Sequence, residues 1–228
     1  MAGMIMSKSE LWRQYLKFRF YLAGRNIIRS YFRENIIYKL QIGSSSNVMA
    51  RWLNSDIFPS HNVLYLDATK RFPFVDEQFH YVYSEHMIEH ISFEQGIFML
   101  SEVHRVLKKD GTLRIATPDL KFLINLYMNP TDSQKRDYIL LANSTFTKNP
   151  FLNNPVPVIN NFFRDWGHQF IYDYETLKKS LQSVGFTNIR RVEVGESKIL
   201  DLNGIEHHGR IIGEMNNILE TMVIEADK

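Results

Sequence analysis

The sequence predicts a doubly wound α/β domain: a largely parallel sheet with helices on both faces. Three observations lead there. Short segments rich in β-branched and aromatic residues, YKLQI (38–42), VLYL (63–66), FHYVYS (79–84) and TLRIAT (112–117), are each bounded by turn residues. A helical stripe of Ile97, Leu100, Val103, Val106 and Leu107 runs through FEQGIFMLSEVHRVLKK (93–109) and stops at Asp110-Gly111, directly before a strand. Strands separated by helices in this way close onto a parallel sheet through right-handed crossovers.

Taken in chain order, Leu11, Tyr15, Phe18, Tyr21, Leu22, Ile27, Ile28, Tyr31 and Phe32 recur at spacings of three and four, which predicts one or two amphipathic helices in an N-terminal extension over residues 1–36. The first strand follows at 38–42, and RWLN (51–54), before Asp56, is a weaker second strand. The third, fourth and fifth strands are the segments at 63–66, 79–84 and 112–117. A helix is expected over 119–128. The proline- and asparagine-rich stretch NPFLNNPVPVINN (149–161) is expected to lack regular structure, because Pro150, Pro155 and Pro157 interrupt it. It would form part of a lid at about 128–168. YETLKKSLQSVGF then predicts a helix ending near Gly185, TNIRRVEVG a strand and ETMVIEA a final strand.

Composition narrows the function. A chain of 228 residues suits one large domain, able to bury roughly 70% of its unfolded surface. With no cysteine there is no disulfide framework, zinc knuckle or thiol nucleophile, and a reducing cytoplasmic setting is expected. No apolar run approaches the ~20 residues of a membrane span. The net charge of +2 is uneven: residues 8–34 carry +5 through Lys8, Arg13, Lys17, Arg19, Arg25, Arg29 and Arg33 against Glu10 and Glu34. The remaining charges alternate in sign, so no nucleic-acid groove is expected. The basic segment 9–34 reads either as a packing helix or as a peripheral contact with the inner face of an anionic membrane.

The chemistry-bearing residues gather after the strands. Gly43, Ser44, Ser45, Ser46 and Asn47 follow the first strand at once, where small residues let backbone amides approach a cofactor. Asp56, after the second strand, is suited to ribose hydroxyls, and Asp67, after the third, to an adenine edge. The gap from Gly43 to Asp56 is 13 residues, against ~20 in the dinucleotide fingerprint, so the first crossover must be short or irregular.

In order and spacing, LQIGSSSN, WLNSDIFP, VLYLDATKRFPFVDEQFHYVYSEHMIEHI and RVLKKDGTLRIATPDL resemble the class I S-adenosylmethionine-dependent methyltransferases, and more narrowly a type 11-like bacterial group often associated with cell-envelope and polysaccharide genes. The resemblance covers residues 38–120 and reaches WGHQFIYD less specifically. It implies a Rossmann-like sheet of seven strands, the last antiparallel, with S-adenosylmethionine as cofactor. Gly43, Ser44 and Ser45 would meet the methionine part, Asp56 the ribose, Asp67 and Ala68 the adenine, and Ser84 and Glu85 the far side of the sulfonium. Relatives carry a second glycine where this chain has Ser45.

Methyl transfer to a hydroxyl needs alignment and a base. His168, after the proline-bearing segment, is the preferred base, with His86 second. His86, Glu89 and His90 share a helical face at a spacing that resembles a two-histidine metal site, but are read as capping and packing groups, with no metal assigned. His207-His208 reads as surface or substrate loop. The expected activity is methyl transfer to an oxygen of a small molecule or envelope glycan. The alternative is a scaffold or cofactor-binding protein without turnover, and a nicotinamide dehydrogenase fits poorly because the first turn lacks G-x-G-x-x-G.

Overall fold

The computed structural model of the protein describes residues 24–147 and 153–228. A helix, α1, occupies residues 24–34. The strands are β1 (Lys39–Ile42), β2 (Leu53–Asp56), β3 (Leu64–Tyr65), β4 (Phe79–Glu85), β5 (Leu107–Pro118), β6 (Thr187–Val192) and β7 (Thr221–Asp227). Between them lie α2 (Phe93–Val106), α3 (Leu120–Met128), α4 (Ser133–Ala142), α5 (Pro155–Arg164), α6 (Tyr174–Ser183), α7 (Gly209–Ile212) and α8 (Glu214–Glu220). One sheet of seven strands results, in the order β3-β2-β1-β4-β5-β7-β6, with helices on both sides. The pairs from β3 to β5 are parallel, and β7 is antiparallel to both β5 and β6. Strand order reverses between β1 and β4, which opens the crevice at their carboxyl ends where such sheets bind ligands.

Strand alternation gives the sheet two unlike faces. Leu40, Ile42, Val82, Leu113, Ile115 and Ile224 point into one core with Tyr31 of α1, Met99, Leu100 and Val103 of α2, and Leu177 and Leu181 of α6. Each such side chain contributes roughly 1.5–3 kcal/mol on burial. The other face carries a polar row in direct register: Asn54, Gln41, Tyr83, Arg114, Glu225 and Arg190. Parallel sheets usually read apolar on both faces. Here the segment between β6 and β7 covers the polar one. Arg114, fully buried, is held by Glu206 at 2.5 Å and Glu225 at 2.7 Å, and Lys39 meets Asp201 at 2.7 Å. Leu202 packs with Met49, Trp52 and Tyr83. Residues 43–52, between β1 and β2, contain no helix, so the short first crossover is irregular as expected.

Two expectations need correction. The second strand begins at Leu53, not Arg51, because Arg51 takes φ 63° and Trp52 turns into the cluster with Tyr83 and Leu202. The proline-rich stretch is helical from Pro155: Asn154 caps the Val156 amide at 2.9 Å, Pro155 opens the helix, and Pro157 still lies in the first turn. The first four amides of a helix have no intrahelical partner, so prolines there remove nothing. Residues 148–152 of that stretch lie outside the described residues. Together α3, α4 and α5 form a second core through Phe122, Leu126, Tyr138, Ile139, Val158 and Phe162.

Of the N-terminal extension, residues 1–23 lie outside the described residues. In α1, Ile27, Ile28, Tyr31 and Phe32 pack on the main core, while Arg25, Arg29 and Arg33 are exposed. Among the described residues no helix is long and apolar enough to cross a membrane.

Candidate functional site

The carboxyl edge of β1 forms the first half of the site. Gly43 has φ 73°, and a Cβ there would stand 2.5 Å from Met87 Cγ, so only glycine fits. The Gly43 and Ser44 amides both donate to the Ser55 carbonyl at 2.9 Å, and the Ser45 amide donates to the Asp56 carboxylate at 2.8 Å. The amides of Gly43, Ser44, Ser45 and Asn47 are therefore engaged within the chain. The open polar groups are side chains: Gln41 Oε1, Ser44 Oγ and Asn47 Nδ2 are buried without a partner. They line one cavity with Gly43, Ser45, Glu85 and His86. Ser45 sits at φ 45°, where a Cβ costs about 1–2 kcal/mol.

The remaining expected cofactor residues lie along the same sheet edge. Asp56 also accepts the Phe58 amide at 2.7 Å. Asp67 accepts the amide and hydroxyl of Thr69, Ala68 is buried, and Ser84 is buried with its hydroxyl unpartnered. Asp56, Asp67, Ala68 and Ser84 do not line the cavity at Gly43. Glu85 Oε1 accepts the amides of both His207 and His208, at 2.7 and 2.8 Å, and so pins the segment between β6 and β7 to the end of β4.

A second cavity, of about 190 Å³, opens beside the first and shares His86, His208 and Ile211 with it. Its walls are mostly apolar, with Tyr138, Phe146, Phe162 and Trp166, and its polar groups include His86, His90, His168, His208 and Glu220. His86, at φ 44°, stacks on His208 with ring centroids 3.7 Å apart. His86 Nδ1 lies 3.2 Å from Glu89 Oε1, and its Nε2 lies 3.2 Å from Thr221 Oγ1. Burial opposes protonation of His86, but the hydrogen bond and charge of Glu89, with Glu220 and Glu85 behind it, carry the net shift upward. His168 differs. Its Nδ1 is 2.7 Å from the Phe162 carbonyl, which makes Nδ1 the protonated nitrogen and leaves Nε2 as the acceptor. Burial pushes its pKa below the ordinary range against the pull of Glu89.

Sequence reasoning thus placed His86 and His168, and the fold brings both to one cavity. It missed Glu220 and Tyr138 and did not place His208 beside His86; all three come from elements distant in sequence, and no local motif marks their approach.

Residues 28–115 match a family model described as a methyltransferase domain. A comparison with curated proteins finds no match. Among solved structures, an S-adenosylmethionine-dependent methyltransferase from Mesorhizobium loti aligns with a TM-score of 0.50 at 13% identity, over 84% of this chain and 91% of that one. A second, from Archaeoglobus fulgidus, aligns with a TM-score of 0.48 at 21% identity, over 97% of this chain and all of the other. S-adenosylmethionine supplies an electrophilic sulfonium methyl when bound. The residues at hand fit it: the unpartnered Gln41, Ser44 and Asn47 groups suit its amino-acid end, and the Asp56 carboxylate suits ribose hydroxyls. The match over residues 28–115 and the strand order together give the chain a methyltransferase-like α/β sheet, and the matched family implies S-adenosylmethionine as the cofactor.

Proposed function

We propose that the protein transfers a methyl group from S-adenosylmethionine to an oxygen of a small molecule or cell-envelope glycan, with His168 as the base. The observation that carries this reading is the pair of adjoining cavities. One has unpartnered polar groups at the glycine turn, and the other is aromatic and histidine-rich, with His168 Nε2 free to accept a proton. A hydroxyl acceptor must lose a proton during transfer, and a histidine kept neutral by burial is in the right form for that at neutral pH. His86, with both ring nitrogens engaged, suits a positioning role at the seam. Helices α4 and α5 and the segments that follow them supply the aromatic wall, in keeping with a lid over the acceptor. A contact of the basic residues 9–34 with anionic lipid would bring such an enzyme to envelope substrates.

An acceptor screen read by release of the demethylated cofactor tests the reading, with hydroxylated sugars and phenols set against amines. Turnover on amines alone would refute the oxygen assignment. A second reading, cofactor binding without turnover, rests on the strained Ser45, and the same screen separates it: bound cofactor with no acceptor turned over.

A further inference from the structure

We propose that His86, His208 and Glu220 bind one divalent transition-metal ion, open to the acceptor cavity. The three side chains come from the end of β4, the β6–β7 segment and the end of α8, and their ligand atoms lie within 4.8 Å of one another. His208 Nε2 and Glu220 Oε1 are already 3.2 Å apart. That is close to the roughly 3.3 Å that a tetrahedral ion with bonds of about 2.0–2.1 Å imposes on neighbouring ligands. His86 completes the set by tilting out of its stack on His208 and exchanging its contact with Thr221 for the ion.

The groups behind the ligands are those a metal site needs. His86 Nδ1 faces the fully buried Glu89, which Thr117 also holds at 3.1 Å, an arrangement of carboxylate, histidine and ligand nitrogen that orients the ring. The Tyr138 hydroxyl donates to Glu220 Oε2, leaving Oε1 for the ion. Glu85 fixes the backbone of His208. Two histidines and one carboxylate, with the cavity side open and no thiolate, select Zn²⁺, Fe²⁺ or a neighbouring first-row ion. The role of the ion rests on the methyl-transfer reading: held at the seam of the two cavities, it would bind the acceptor hydroxyl and favour loss of its proton to His168 Nε2.

The test is a titration of the full chain with Co²⁺, followed by visible absorption, and with Zn²⁺, followed by calorimetry, while S-adenosylmethionine affinity is measured in parallel as a check on the fold. One ion per chain is expected. His208→Ala should weaken binding roughly 100-fold or more, Tyr138→Phe about 10-fold, and His90→Ala should leave it unchanged. Failure to bind one equivalent of either ion overturns the proposal, as does binding that survives His208→Ala or is lost in His90→Ala. Cofactor binding without metal binding would remove this site and keep the methyltransferase reading. Metal binding without turnover on any acceptor would do the reverse.

Discussion

The Asp56 carboxylate accepts the backbone amide of Ser45 across a 2.8 Å hydrogen bond, tying the end of β2 to the turn after β1. With the Phe58 amide on its other oxygen, the acid is fixed before any ligand arrives. A ribose hydroxyl would therefore meet a carboxylate whose orientation is already set. Asp56→Ala should weaken S-adenosylmethionine binding by about 1–3 kcal/mol, the range for a hydrogen bond to a charged group. Calorimetry on the variant reads this directly, and an unchanged affinity would remove Asp56 from the site.

Ser45 occupies a left-handed conformation that glycine adopts without penalty. Ser45→Gly should keep the fold and keep or tighten cofactor affinity. Denaturant melts and a binding curve check both halves. A drop in affinity would mean that the serine hydroxyl itself holds the cofactor.

Arg114 is buried among Glu206, Glu225 and the Glu196 carbonyl. Removing Glu206 leaves Arg114 with only Glu225, which Arg190 also holds, so Glu206→Ala should destabilise the protein by about 3–5 kcal/mol. It should also loosen the segment that carries His207 and His208. Urea denaturation gives the first number and hydrogen exchange the second; a loss under about 1 kcal/mol would show that water reaches Arg114.

How much of this could be read in advance follows from the range of the signal. β1, β4 and β5 were legible because their alternation and bounding turns are local, and α2 because its stripe is. The alternation also held the polar row, but Gln41 and Arg114 share a line only once register is known. Prolines 155 and 157 misled because their effect depends on where the helix begins, which Asn154 decides. His168 and His86 were found as residue types after strands and loops. Their neighbours Glu220 and Tyr138 were not, and His208 was read only as surface or substrate loop, since contacts over long sequence separations leave no spacing to read.

Below the ordinary histidine value of about 6.5, the two states of the chain differ at His168. Burial lowers its folded pKa, so the unfolded chain takes up the proton first and His168 reduces stability as pH falls through 6.5 toward that lower value; stability rises again with pH across the same window. His168→Gln should flatten this dependence, as thermal melts across that range would show. On the functional side, His168→Ala should lower turnover ~10²-fold or more with cofactor affinity within a factor of a few. Full turnover in the variant would assign His168 to packing.

Calorimetric titration of the full chain with S-adenosylmethionine, its demethylated product and NADH decides whether the crevice between β1 and β4 holds S-adenosylmethionine. One molecule of either sulfur compound should bind per chain, with no heat from NADH. Binding of NADH with neither of the other two would contradict it.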